Sequence, residues 1–402
     1  MPQISPVVFL LLMAFALALA WLAGYRSRFR KLPGLKRNPE QDYFVGLNYL
    51  LNDEPDDAID IFIDALELNS NTLATHLALC TLLRRRGKVD RAIEHGEYLL
   101  ANQSFGLRES NEIRVNLVRS YLAAGLLDRA EKLLEDLKRG SPAVREQALS
   151  LAITVYQMEK EWAQALQAAL ELLNICPAAK RAELQAQAAH LHCELAELAL
   201  AQQDRAAARN ELKKALAINR GNVRVYLMLA RIDMAEGHIM EALKTLQKVQ
   251  QYDEAYAGEA SAVMLECIEH SHAHAHAVPD ALRLLENTPG TEHGSRQLLA
   301  RFAVVRKEKG NAAALRVLQQ SLAAYPSLGV LARLLEAAAK EATEQQDVLQ
   351  QSAFVVDQYL QGCPQYRCDN CGFELKHLYW LCPGCSKWGT VKPLEHNISS
   401  VG

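Results

Sequence analysis

Hydrophobic and polar positions divide this chain into three stretches of different period. From Val7 to Ala23 the sequence VVFLLLMAFALALAWLA runs without a single charge. At a rise of 1.5 Å per residue, a helix over this run and its flanks from Ile4 to Tyr25 reaches roughly 30 Å, the thickness of a bilayer's hydrocarbon core. The pattern predicts a transmembrane helix. Beyond a short linker with Pro33, Gly34 and Pro39, apolar residues recur at helical spacing as far as Leu360, broken regularly by Gly, Pro or Asn. That stretch predicts a long series of amphipathic helices. The last piece, Tyr366 to Leu394, is rich in Cys and turn residues and predicts a small, separately braced fold.

The helical stretch repeats itself. In DYFVGLNYLLNDEPDDAIDIFIDALELNSNT, Gly46 and Tyr49 lie one turn apart on a first helix, and Ala58, Phe62 and Ala65 share a face of a second. A small residue at a helix crossing lets two antiparallel helices approach closely. Taking that residue as a register mark gives Ala58, Ala92, Ala130, Ala165, Ala208, Ala242, Ala281 and Ala314, separated by 33 to 43 residues. Gly87, Gly125 and Gly237 each precede their alanine by five residues, where a left-handed residue would turn the chain between helices. This unit resembles the tetratricopeptide repeat. A generic bundle is the alternative, but it has no reason to repeat glycine, small residue and turn at one period. A further helical pair is expected over Leu328 to Leu360.

Charge sets the orientation of the predicted span. Arg26, Arg28, Arg30 and Lys31 follow the apolar run and no basic residue precedes it, which disfavours a cleavable signal peptide. Basic residues stay on the cytoplasmic side, so the bulk of the chain is expected in the cytosol. Over its 402 residues the net charge is −3 and aromatic content is 6%, which points away from nucleic acid. No phosphate-binding loop, serine elbow or H-E-x-x-H helix is present, so the chain reads as non-enzymatic.

Candidate chemistry concentrates at the carboxyl end. Cys368, Cys371, Cys382 and Cys385 form two C-x-x-C pairs, with Gly372 after the first and Pro383-Gly384 within the second. A two-residue gap lets one tight turn aim two sulfurs at one ion, and a second pair completes a tetrahedron. A reducing cytosol favours such a thiolate site over disulfides. The expected cofactor is one zinc or iron ion, with zinc favoured. Four thiolate ligands leave no open position for a catalytic water. Cys363 reads as a free thiol beside the ribbon, and Cys80, Cys176, Cys193 and Cys267 as small core residues. The stretch EHSHAHAH, Glu269 to His276, places His270 with His274 and His272 with His276 at i, i+4, but it lacks residues that would complete a metal site and reads as a solvated helix end. Arg84-Arg85-Arg86 reads as a solvated cap on a helix carboxyl end.

The succession of parts resembles the lipopolysaccharide assembly protein B family of Gram-negative bacteria over essentially the whole chain. The resemblance rests on the apolar run with trailing arginines, the GLNYLLNDEPDDAIDIF unit from Gly46 to Phe62, and the four-cysteine ribbon. It implies an all-α tetratricopeptide-repeat superhelix with an N-terminal transmembrane helix and a small C-terminal rubredoxin-type zinc ribbon packed against the repeats. The expected boundaries are an anchor over 1–25, a basic juxtamembrane linker over 26–39, about eight to nine helical hairpins over 40–362, the ribbon over 363–396 and a tail over 397–402. The resemblance further implies an inner-membrane adaptor, facing the cytoplasm, that works with the FtsH protease to control the deacetylase of the lipid A pathway. Expected partners are that protease, that deacetylase and other lipopolysaccharide assembly proteins, with self-association left open. Two alternatives remain at the level of sequence: a scaffold for lipopolysaccharide synthesis or transport proteins without directed proteolysis, and a redox protein with iron in the ribbon.

Overall fold

An alanine on the fourth residue of the second helix sets the packing of six of the described helical hairpins. The computed structural model describes residue 61 and residues 72–101, 105–270, 295–324, 326–342 and 344–394. The predicted span at Val7 to Ala23, the linker, the first repeat with Ala58, and Ala281 lie outside these residues. Among the described residues no helix is long and apolar enough to cross a membrane. The chain divides into two units, Met1–Leu133 and Leu134–Gly402.

In the first unit, α1 (Leu73–Arg85), α2 (Val89–Ala101) and α3 (Leu107–Ala124) pack on one another around Leu73, Cys80, Leu99, Phe105 and Ile113. Helix α4 (Leu127–Leu137) carries the boundary between units. The second unit is a series of antiparallel pairs: α5 (Pro142–Glu159) with α6 (Trp162–Ile175), α7 (Ala178–Ala201) with α8 (Arg205–Ile218), and α9 (Val223–Ala235) with α10 (Ile239–Tyr252). A 3-10 turn, Glu254–Tyr256, leads into α11 (Ala257–His270). Then follow α12 (Ser295–Lys309) with α13 (Asn311–Ala324), and α14 (Leu328–Ala339) with α15 (Gln346–Gly362). Ala92, Ala130, Ala165, Ala208, Ala242 and Ala314 begin α2, α4, α6, α8, α10 and α13 at the same position, and each is at most 1% exposed. A larger side chain there would force the paired helices apart.

The turns into α2, α4, α6, α8 and α10 share one geometry. Five residues before each alanine stands a left-handed residue, in order Gly87, Gly125, Lys160, Gln203 and Gly237, with φ between 60° and 81°. The next amide reaches back across the helix end: Lys88 to the Leu83 carbonyl, Leu126 to Tyr121, Glu161 to Tyr156, Asp204 to Ala199 and His238 to Asp233, at 2.8 to 2.9 Å. This closure satisfies carbonyls that the helix leaves open. Glycine adopts the conformation freely, whereas Lys160 and Gln203 hold it at a cost of ~1 kcal/mol each. Sequence inspection finds only the glycines and misses these two turns, because their side chains give no sign of the backbone they carry.

After α15 the chain forms a three-stranded antiparallel sheet in the order β2 (Glu374–Leu375), β1 (Tyr366–Cys368), β3 (Val391–Pro393). Tyr366 pairs with Leu375 on one side and Cys368 with Val391 on the other. Tyr366, Cys368, Leu375, Cys382 and Val391 form its small core. A mostly helical repeat array with a C-terminal strand ribbon is therefore the architecture of the described residues.

Candidate metal centre

Two knuckles of matching geometry bring the four cysteines together. In the first, Gly372 takes φ 75° and its amide donates to the Cys368 carbonyl at 2.8 Å. In the second, Ser386 takes φ 54° and its amide donates to the Cys382 carbonyl at 2.8 Å. The left-handed residue thus follows the second cysteine of each pair. Gly384, which sequence analysis assigned to the turn, has a different reason to lack a side chain: a Cβ there would lie 3.1 Å from the Phe373 ring.

All four sulfurs lie within 4.8 Å of one another. Cys368 Sγ is 3.7 Å from Cys385 Sγ, and Cys371 Sγ is 3.7 Å from Cys382 Sγ. A tetrahedron with bonds of ~2.3 Å has edges of ~3.8 Å. The separations match that edge and are far too long for a disulfide, consistent with four free thiols. Cys368 and Cys382 are buried, Cys385 is half-buried and Cys371 is exposed. Burial raises the Cys368 thiol, but Thr390, whose Oγ1 lies 3.2 Å from the sulfur, and the Cys371 and Asn370 amides outweigh it and bring it down to about 6. Cys371 moves the other way: against the lowering effect of the Phe373 amide, desolvation and the three neighbouring sulfurs push it up to about 12. Four thiols at such spacing cannot all ionise without a cation among them. The donor set fits a single closed, four-coordinate ion, and both zinc and iron accept it. Bound there, the ion would supply the cross-link between the knuckles.

The ribbon rests on the helical array through aromatic and charged contacts that sequence analysis did not find. The Trp388 ring stacks on His190 of α7, with centroids 5.1 Å apart, and Trp162 of α6 meets its edge at 6.3 Å. Trp380 lies 6.0 Å from His190 and 5.2 Å from Tyr256. Arg224, 2% exposed, sits beneath Trp380 at 5.9 Å and donates to Glu194 at 2.8 Å and Glu197 at 2.7 Å. The Tyr256 hydroxyl donates to the Val391 carbonyl at 2.8 Å, and Lys392 pairs with Asp253. From the central strand, the Tyr366 hydroxyl donates to Glu259 of α11 at 2.8 Å, and Arg296 of α12 pairs with the same carboxylate. Gly389, at φ 66°, leaves no room for a side chain, since a Cβ would lie 3.2 Å from His190 Nε2. One signal was available in the sequence. Of four tryptophans, the three outside the apolar run all meet here.

Burial first, and then Arg224, hold the His190 imidazole down to about 3 from its ordinary 6.5. The folded ring is therefore neutral near pH 7. Below about pH 6.5 the unfolded chain binds a proton that the folded ring does not, so stability is full above that point and falls progressively toward pH 3. The loss approaches ~1.4 kcal/mol per pH unit for one such group. The melting temperature should decline between pH 7 and 5, and His190→Phe should reduce the slope. A profile flat over this interval in the unsubstituted protein would contradict the burial of a neutral imidazole. His95 in the first unit, held down to about 4 by burial and then by His76, adds a decline of the same sign.

Other sequence candidates are placed as follows. Cys363 ends α15, half-buried and outside the sulfur cluster. Cys80, Cys176, Cys193 and Cys267 are buried in the helical units. Arg84 differs from the expectation of a solvated cap: it turns inward to Asn116 Oδ1 at 2.6 Å, Ser120 Oγ at 3.0 Å and Thr81 Oγ1 at 3.0 Å, because α3 offers oxygen acceptors within its reach. Arg85 and Arg86 are exposed. The side chains of His270, His272, His274 and His276 lie outside the described residues. Asp233, Glu236 and His238 also converge, but Arg209 occupies the two carboxylates at 2.5 and 2.6 Å, making an ion-pair network.

Comparison with known proteins places these features together. Residues 366–393 match the family described as rubredoxin metal binding domain, and residues 199–264 match the tetratricopeptide repeat. The lipopolysaccharide assembly protein B of Escherichia coli strain K12 is 31% identical over 96% of this chain and 97% of its own. The protein of that name from Haemophilus influenzae is 29% identical over 96% of this chain and 98% of its own. With the repeats, the ribbon and their order shared along nearly the full length, the chain belongs to the lipopolysaccharide assembly protein B family.

Proposed function

We propose that this protein is a non-enzymatic adaptor of the inner membrane that faces the cytoplasm and promotes degradation of the lipid A pathway deacetylase by an FtsH-type protease. Residues 1–25 anchor it, 26–39 form the basic linker, 40–362 the repeat array and 363–396 the ribbon, where Cys368, Cys371, Cys382 and Cys385 hold one zinc or iron ion. The observation that carries this reading is the near full-length relationship to proteins named for lipopolysaccharide assembly. The closed thiolate cluster supports a structural part for the ion, since four sulfurs leave no coordination position for a substrate. Stacked hairpins offer broad surface for protein partners. A membrane anchor would raise the effective concentration of adaptor and protease in one plane.

Depletion of the protein in its host should lengthen the half-life of the deacetylase and raise its level. An unchanged half-life, with lipopolysaccharide synthesis or transport proteins still co-purifying, would favour the scaffold reading that the word assembly in the relatives' names suggests. Removing residues 1–25 should release the protein from membranes and abolish this control; full complementation by the truncated protein would count against the anchor.

A further inference from the structure

The last helix of the array carries two rows of apolar side chains, and only one of them is covered. In α15, Leu349, Ala353, Val356 and Leu360 recur at helical spacing and are buried or half-buried, and α14 is the helix that packs on α15 among the described residues. Val348, Val355 and Tyr359 form a second row, with Phe354 at its flank, and these four are 52% to 66% exposed. Earlier in the chain the second helix of a hairpin is covered by the next hairpin: α2 packs on α3, α6 on α7, α8 on α9, α10 on α11 and α13 on α14. Helix α15 has no successor, because the chain passes into the ribbon. A terminal repeat ordinarily shows water a polar outer face, and this one does not.

The chemistry of the row indicates what covers it. Of the 17 residues of α15, only Asp347 and Asp357 are charged, and Asp357 lies 3.7 Å from Arg333. A strongly charged partner would find no counter-charge here, whereas two copies of the face meet without like-charge repulsion. Gln351 and Gln358, both exposed, stand between Phe354 and the row. A primary amide both donates and accepts, so it can pair with its own copy across a two-fold axis. The four apolar side chains leave roughly 400 Å² in water, counting a whole aromatic side chain as about 200 Å² and valine as somewhat less. Two copies together with their glutamine rims would cover about 1,000 Å², near the lower limit of a specific interface.

We propose that the exposed face of α15 is a dimer interface, packing against the same face of a second copy of this chain. The two arrays would then join end to end through their last hairpins, each copy supplying the cover that a further hairpin would have given. This holds whether or not the adaptor reading does, and no metal ligand takes part.

The test is sedimentation of the full-length protein in nonionic detergent over a concentration series. A monomer–dimer equilibrium in the micromolar range is expected. Val355→Glu should weaken it at least tenfold, and Phe354→Ser should weaken it less. Both should leave helical circular dichroism and the melting temperature unchanged, since these side chains are exposed. Val355 stands near the middle of the row, so a two-fold axis brings its copies close. Mixing V355E with V355K copies should therefore restore association, an effect that misfolding cannot produce. Monomers at every concentration, or a dimer as stable in V355E as in the unsubstituted protein, would overturn the proposal. So would a dimer that forms only after residues 395–402 are removed, because the tail would then be the occupant of the face.

Discussion

Removing the ion, or replacing Cys382 with Ser, is expected to melt the ribbon while the helical units persist. Only five side chains form the ribbon's core, two of them cysteines, and its strands are two or three residues long. So small an apolar core cannot offset the entropy of ordering the segment. Metal binding in comparable structural sites contributes ~10–16 kcal/mol, most of which is folding free energy. Cys382 is the sharpest choice because it is fully buried, at 0% exposure, and its amide and carbonyl anchor the second knuckle through Lys387 and Ser386. Protease should then cut within 366–394 at rates that leave the helices intact, and helical circular dichroism should change little. Trp380 and Trp388, freed from Tyr256 and His190, should shift their emission to the red. Equal protease resistance of metal-free and metal-loaded protein would refute the expectation. The same preparation identifies the ion: a red thiolate-to-iron band marks iron, and a colourless protein containing zinc marks zinc.

Replacing Arg224 with Ala should separate docking from folding. This side chain is 2% exposed, donates to Glu194 and Glu197, and lies beneath Trp380. Its removal leaves Glu194 with an uncompensated charge beside a half-buried aromatic ring and takes away the cation facing that ring. Glu197 is half in solvent, at 53% side-chain exposure, so its part of the loss is screened. The net effect on docking is ~2–4 kcal/mol. The ribbon should keep its metal, since no ligand is touched, but detach from the array. Unaltered metal content with red-shifted tryptophan emission and faster cleavage between α15 and β1 is the expected result. Loss of metal in this variant would mean that docking and ion binding are a single cooperative event.

Much of the architecture could be read along the chain because it arises from contacts between neighbours in sequence. The register alanines and glycine turns each act on helices joined by a few residues, so their signal repeats locally. Lys160 and Gln203 escaped because a left-handed backbone can be imposed by the closing hydrogen bonds regardless of side chain. Arg84 was misjudged for a related reason: three adjacent arginines look alike until α3 supplies Asn116 and Ser120 to only one of them.

The four cysteines were legible because a tetrahedral ion demands two close pairs, and short turns write that demand into spacing. What braces the ribbon was not. Tyr256 and Val391 are 135 residues apart, and Glu259 and Tyr366 are 107. His190 and Arg224, taken alone, are a histidine and an arginine on amphipathic helices. Sequence by itself determined the hairpin period, the ribbon and its two cysteine pairs, since each follows from bonds reaching only a few residues. Only the tertiary structure decided which helical faces receive the ribbon and which polar groups are buried there, because stacking brings distant residues into one low-dielectric interface that no local pattern encodes.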